Sequence, residues 1–416
     1  MNKNFNVRDN KDIDNQEMNN TDTDNINNKK YIYFDHAATT PVLPEVAQAV
    51  NECFTKFYGN ASEPHLPGRQ AKEILESSRQ DVAQVLGAKE SEITFTGGGT
   101  ESDNLALFGI AEAYSGRGNH IITSEIEHPA ILMPLKFLAR KGFKITSLPV
   151  DKYGMVDPSD VKKALKDTTI LVTIMHANNI VGTIQPIEEI GRLLADKNVI
   201  FHTDAVQTFC SAGTNVDSLG VDLLSISGHK IYGPKGVGAL YIRKGTKIMP
   251  LILGGGQEKG RRSGTENIPG IAGLASAARA GFKTLDDRIA KITAMREYLK
   301  TELLKNIDDV RFNGHPTHRL PGNCNFSFKF IEGEAIVLRL DMAGIAASSG
   351  SACSSSSMKP THTLIAMGLS GEEAFGSLRI TLGFENTYEE IDYFLETIKR
   401  IIMDLRNISP LYKKGR

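Results

Sequence analysis

A lysine set directly after an apolar run, inside a glycine-punctuated turn, is suited to holding an aldehyde. Lys230 stands in that position in Ser227-Gly228-His229-Lys230-Ile231-Tyr232-Gly233-Pro234-Lys235-Gly236, after the run Val221 to Ile226. Partial desolvation in such a turn lowers the lysine pKa and populates the free amine that a Schiff base needs. An arbitrary lysine beside a turn is a surface lysine. What sets this one apart is Asp204, at the end of the preceding apolar run Val199 to Thr203. A carboxylate there can keep a pyridine nitrogen protonated so that the ring acts as an electron sink, while the lysine binds the aldehyde of the same ring. The two residues together point to pyridoxal 5'-phosphate as cofactor.

A phosphate needs its own cup. Phe95-Thr96-Gly97-Gly98-Gly99-Thr100-Glu101-Ser102 leads from a strand into a helix running on through Asn104, Leu105 and Leu107. Free amides at that helix start suit an anion, and Thr100, Ser227 and His229 can add side-chain donors. Taken alone this is a plain glycine turn; beside Lys230 and Asp204 it becomes a phosphate cup. His128, in Ser124-Glu125-Ile126-Glu127-His128-Pro129-Ala130, is either a helix-capping residue or an imidazole stacked on the ring. Asn178-Asn179 and Gln207 are either turn formers or neutral amides for the ring hydroxyl. Cys353 lies in Ser348-Ser349-Gly350-Ser351-Ala352-Cys353-Ser354-Ser355-Ser356-Ser357, where seven serines in ten residues cannot make a core. A cysteine on such a polar, mobile loop is placed for nucleophilic work.

These residues need a scaffold that gathers strand ends. Ala71, Ile74, Leu75, Ser78, Val82, Val85 and Leu86 share a helical face, and short apolar runs follow at Ile93–Thr96, His120–Thr123, Ile170–Met175, Val199–Thr203 and Val221–Ile226. Alternation of strands and helices implies a largely parallel sheet whose ligands bind at the carboxyl ends. After about residue 285 the pattern changes. Ile289, Ile292, Met295, Leu299 and Leu303 mark one amphipathic helix, Asn323 to Phe330 alternates like an antiparallel strand, and Ile391 to Leu405 marks a final helix capped by Thr387 and Glu390. The division expected is a disordered tail at 1–30, a segment 31–44 returning to the small domain, a large cofactor-binding domain at 45–285, and a small α+β domain at 286–416 carrying the cysteine loop 348–357.

At 416 residues the chain can bury two cores. A net charge of −1 gives no general pull toward nucleic acid or anionic membrane. No apolar stretch reaches the roughly 20 residues that span a bilayer. Cys53, Cys210, Cys324 and Cys353 have neither disulfide-framework nor metal-ligand spacing, so no metal site is expected and a reducing cytoplasm fits. The first 30 residues hold ten Asn and five Asp and resemble neither a signal nor a transit peptide.

From residue 31 to about 405 the chain resembles the group I cysteine desulfurases of the class V aminotransferase superfamily. The resemblance rests on Tyr33-Phe34-Asp35-His36-Ala37-Ala38-Thr39-Thr40, Thr100-Glu101-Ser102-Asp103-Asn104, Glu127-His128, His202-Thr203-Asp204-Ala205-Val206-Gln207, Ser227-Gly228-His229-Lys230 and Arg262-Ser263-Gly264-Thr265-Glu266-Asn267, and on the serine-flanked Cys353. It implies an α/β fold type I pyridoxal-phosphate transferase, with a mostly parallel central sheet in the large domain and a smaller α+β C-terminal domain. It implies that Lys230 binds the cofactor covalently, His128 stacks on the ring and moves protons, and Asp204 pairs with the ring nitrogen. Asn179 and Gln207 would contact the ring hydroxyl. Gly99, Thr100, Ser227 and His229 would hold the phosphate, with Thr265 supplied by the second subunit of a homodimer. Arg379 would clamp the substrate carboxylate beside Asn179, and Cys353 would take sulfur from L-cysteine as a persulfide, leaving L-alanine. The sulfur would pass to an acceptor such as an iron–sulfur scaffold, or to thiolation enzymes. Ile180 departs from the pattern, since a glutamate commonly follows the two asparagines. A selenocysteine lyase and a catalytically silent cofactor-binding scaffold on the same fold are the rival readings.

Overall fold

The computed structural model describes residues 31–349 and 360–414. The segment 1–30 and most of the serine-rich stretch, Cys353 included, lie outside the described residues. In chain order the strands are β1 Ile32–Tyr33, β2 Ile93–Thr96, β3 His120–Ser124, β4 Lys144–Leu148, β5 Thr169–Thr173, β6 Ile200–Asp204, β7 Leu223–Ser227, β8 Gly238–Ile242, β9 Val310–Asn313, β10 Asn323–Phe328, β11 Ile345–Ala346, β12 Ser348–Ser349 and β13 Ser377–Thr381.

Seven of them form the main sheet in the order β2-β8-β7-β6-β5-β3-β4. Only β8 runs against its neighbours; the other pairings are parallel. Parallel strands covered on both faces must be apolar on both faces, and the cores obey this. Ile121, Leu171, Leu223 and Leu240 pack with Leu107, Ile110 and Ile131 on one side, while Ile122, Val172, Phe201 and Leu224 pack with Leu75, Val82 and Leu274 on the other. Two strands, β4 and β8, have no counterpart among the apolar runs. β4 is an edge strand with polar, partly exposed residues, and β8 follows a turn in which Gly236 has φ of 77°.

A second core surrounds the antiparallel sheet β12-β13-β10-β9, closed by helices Leu285–Asn306 and Tyr388–Ile408. The final helix starts with the capping box read from the sequence: Thr387 Oγ1 accepts from Glu390 N, and Glu390 Oε2 accepts from Thr387 N. The alternation in Asn323–Phe330 marks an antiparallel strand, β10, as expected. All six residues of β10 are buried, because Asn313 on β9 satisfies Asn325 Oδ1 and Ser327 Oγ at 2.8 Å each. Ser348 and Ser349, expected in the loop, instead pair with Arg379 and Leu378 as the edge of this sheet. The N-terminal segment joins the same core: β1 runs parallel to β11, and Phe34 packs edge-on against Phe394.

Candidate active site

Because β2, β3, β5, β6 and β7 all point the same way, their carboxyl ends lie along one edge. The turn after β7 is a single 3₁₀ turn, Gly228–Lys230. Gly228 has no room for a side chain, since a Cβ would sit 2.9 Å from Pro234 O and 3.0 Å from Val237 Cγ1. Lys230 is thereby turned back across the strand ends, and its amine donates to the carbonyls of Ala37 at 2.5 Å and Ala38 at 2.7 Å. The N-terminal segment is fixed over the same turn by Thr40, whose hydroxyl reaches His229 O and accepts from Tyr232 N.

Asp204 is the last residue of β6 and is buried. Its Oδ1 accepts from Val206 N at 2.9 Å, which leaves Oδ2 for another donor. Burial pushes its carboxyl up, opposed by the Val206 amide and by His128 and Lys230. His128 caps helix Pro129–Arg140, accepting from Ala130 N at Nδ1, which is the capping reading of this histidine. Desolvation holds its pKa down, with Asp204 pulling it up and Lys230 and His362 pushing it further down. His128, Asp204 and Lys230 therefore feel one another's charge across three strand ends. His229 is pushed down to about 4 by burial and by Lys230 and Lys235.

Behind this surface stand acids whose roles the motifs do not announce. Glu127 is fully buried, accepts from Ser124 Oγ and from Met175 N, and so joins the end of β3 to the segment after β5; burial raises its pKa to about 8. Asp103 is buried, is raised well above the carboxylate range by burial and by the charge of Asp204, and has an Oδ1 without a hydrogen-bond partner, 3.7 Å from His202 Nε2. Ionisable residues inside otherwise apolar elements are the signal that would have singled these out.

The glycine turn suits a phosphate. Gly98, at φ 141°, precedes helix Gly99–Ala113 and offers no side-chain cap. The helix's first amides are therefore open to an anion. A Cβ on Gly99 would meet Val206 Cγ2 at 2.7 Å, whereas beside Gly98 the nearest atom is Ser227 Oγ, 4.0 Å from where a Cβ would stand. Thr100, in the first turn of the helix, is exposed, and Ser227, beside Gly98 and Gly99, is buried. An amine, a buried carboxylate and an anion cup along one edge are the donor set that a phosphorylated pyridine aldehyde requires, so the residues fit pyridoxal phosphate.

The remaining candidates come from elsewhere. Gln207 donates to Ala37 O. Asn178 is a turn former: its Oδ1 accepts from Ile180 N and Val181 N. Ile180 is buried beside Leu364 and Met367, which accounts for an apolar residue at that departure. Arg379, in the middle of β13, donates to Asn179 O at 3.1 Å and to Asp35 Oδ1 at 2.7 Å, while its buried Nε has no partner. Asp35 thus fixes one arm of the Arg379 guanidinium. Thr265 is exposed and lines a 230 Å³ recess with Gly97 and Arg262. Cys53 and Cys324 are buried and Cys210 partly so, and burial raises all three thiols, Cys210 to about 12 and Cys324 to about 11.

Known proteins resemble this chain over almost all the described length. The cysteine desulfurase IscS of Dictyoglomus turgidum is 52% identical over 386 residues, covering 93% of this chain and 98% of its own. That of Methanosarcina thermophila is 49% identical over 402 residues, covering 97% and 98%. Among solved structures, a NifS-like protein superposes with a TM-score of 0.85 at 40% identity over 90% of this chain and all of its own. Another, from Rickettsia africae, gives 0.81 at 34% identity over 89% and 99%. These relatives carry the desulfurase or NifS-like name and not that of a selenocysteine lyase. With its α/β sheet, its strand-end lysine and a family model matching residues 32–394, the chain belongs to the aminotransferase class-V family.

Proposed function

We propose that the strand-end cluster around Lys230 is the active site of a cysteine desulfurase, with residues 45–285 holding the cofactor and 286–416, joined by 31–44, supplying the substrate and sulfur-transfer groups. The activity is conversion of L-cysteine to L-alanine, and the cofactor is pyridoxal 5'-phosphate. The observation that carries the site assignment is the placement of Lys230, the buried Asp204 and His128 after the carboxyl ends of β7, β6 and β3, along one edge of the main sheet.

Lys230 would hold the aldehyde, Asp204 would pair with the ring nitrogen, Gly99, Thr100, Ser227 and His229 would hold the phosphate, and Gln207 and Asn179 would contact the ring hydroxyl. When bound, the cofactor supplies an electron sink for charge developed on the substrate. Lys230 Nζ takes the α-proton. His128 accepts a backbone N–H at Nδ1, so its own proton sits on Nε2, where it can be passed on. The unpartnered Nε–H of Arg379 binds the substrate carboxylate. The Cys353 thiolate would attack the substrate sulfur; the S–S bond forms as the C–S bond breaks, the β-carbon takes a proton to become the methyl group, and Lys230 returns the α-proton to give alanine.

The sulfur then passes to an acceptor protein of the iron–sulfur scaffold kind. A homodimer is supported by Met249, Leu251, Ile252 and Leu253, exposed together just before the loop that carries Thr265. Free, widely spaced cysteines favour the cytoplasm. Among the described residues no helix is long and apolar enough to cross a membrane. The test is incubation with L-cysteine followed by alanine quantitation and mass spectrometry of each cysteine. Equal alanine and a persulfide on Cys353 are expected; a persulfide confined to Cys53, Cys210 or Cys324 overturns the assignment.

A further inference from the structure

The glycine cup is tied to a distant part of the chain by one charged contact. Glu101 lies in the first turn of helix Gly99–Ala113 and folds back, so that Oε2 accepts from Gly97 N at 2.9 Å. Its Oε1 takes Arg262 Nε at 2.9 Å, and Arg262 Nη2 reaches Oε2 at 3.4 Å, a two-armed pair with side chains 21% and 27% exposed. A Cβ on Gly97 would stand 2.7 Å from Glu101 Oε2, so the carboxylate lies directly on the turn. Arg262 belongs to the loop carrying Thr265. The same loop is anchored at its other end by Glu258, whose carboxylate grips Arg79 with two 2.8 Å contacts and accepts from Phe95 N, on the strand that leads into the cup.

A carboxylate in that first turn has two opposed effects. It satisfies the Gly97 amide and shapes the turn, yet it sets a negative charge beside the place where a phosphate dianion is to sit. Like charges at such separations repel, and partly buried pairs are poorly screened. Arg262 cancels the charge while leaving the hydrogen bond to Gly97 intact. We propose that Arg262 and Glu101 form a charge clamp that lets the Gly97–Thr100 turn accept the cofactor phosphate. Arg262 is thus a positioning residue acting through Glu101.

The proposal rests on residues 97–100 being the phosphate cup, and the experiment separates the two. Full-length protein is stripped of cofactor and titrated with pyridoxal phosphate and with pyridoxal, which lacks the phosphate, using the absorbance of the bound chromophore. If the wild type binds both equally well, the cup itself is misassigned. If the wild type prefers pyridoxal phosphate, Arg262→Gln should weaken that ligand about tenfold and pyridoxal by less than about twofold. Glu101→Gln should cost less, because a neutral amide oxygen still accepts from Gly97. The double variant Glu101→Gln/Arg262→Gln should recover most of the loss, since no bare carboxylate remains. Should Arg262→Gln not fold, Arg262→Lys, which keeps the charge and loses the fork, should retain the preference for the phosphorylated ligand. Equal weakening of both ligands by Arg262→Gln, a double variant no better than the single, or loss of the preference in Arg262→Lys overturns the clamp.

Discussion

Asp204 ends β6 and Lys230 ends the turn after β7, whereas Arg379 stands in the middle of β13. The cofactor half of the site is positioned by where strands stop. The peptide geometry of the turn fixes the side chain, and glycines 98, 99 and 228 decide whether the turn can form. The substrate half is positioned by side-chain partners: Arg379 is aimed by Asp35 and the Asn179 carbonyl. Substitutions in the first half should therefore abolish chemistry without moving substrate affinity, and those in the second should do the reverse.

The sharpest break is Lys230→Ala. Turnover should fall by more than about 10⁴-fold, since both covalent attachment and proton transfer are lost. Borohydride trapping that labels a different lysine in the wild type would refute the assignment. Asp204→Asn should lower kcat by about 10²–10³-fold with KM little changed, because an amide cannot hold the ring proton; near-normal kcat would remove Asp204 from the site. Arg379→Lys keeps the charge beside Asp35 but loses the planar fork. KM for cysteine should rise about tenfold while kcat moves less, and an equal fall in kcat would place Arg379 in the chemistry instead.

The smallest effect concerns acid stability. Burial holds His176 near 4 and His202 near 3, with His120 also near 4, all below their ordinary 6.5. Below 6.5 the unfolded chain takes up protons that the native chain refuses, so each histidine withdraws stability as pH falls toward 4. The slope is about 1.4 kcal/mol per pH unit per group. Glu127, raised to about 8, acts in the opposite sense: its contribution is full below 4.5 and is lost as pH rises through 8. Urea midpoints should drop from pH 6.5 to 4.5, and His202→Asn should flatten that slope. An unchanged slope would mean that His202 is charged in the native chain.

The parts of this molecule legible in the sequence are those where one residue type has one use. Strand-end Asp204 and Lys230, the glycine turn and the capping box of the last helix declare themselves because glycine, a caps-forming threonine or a charged residue after an apolar run has few alternatives. β4 was not legible because an edge strand need not be apolar. β10 was legible as an antiparallel strand, but the burial of its polar residues was not, because it depends on Asn313, a residue on another strand. Asp35, Glu127 and Asp103 stayed silent for the same reason: their significance lies in what they touch, and those partners are distant in the chain. Arg262 could be quoted as part of a motif, but its partner Glu101 lies 161 residues away.

The N-terminal segment has a mechanical consequence. The chain begins its described course in the second core at Ile32 and Phe34, passes over the lysine turn at Ala37 to Thr40, and returns to the second core through helix Leu285–Asn306. The two halves are thus sewn together twice rather than once. A body attached by two threads can swing about the line joining them but cannot drift away or twist freely. One of the two threads is the stretch of backbone on which the lysine amine rests, so a shift of the second core against the main sheet would pull on the carbonyls that hold Lys230.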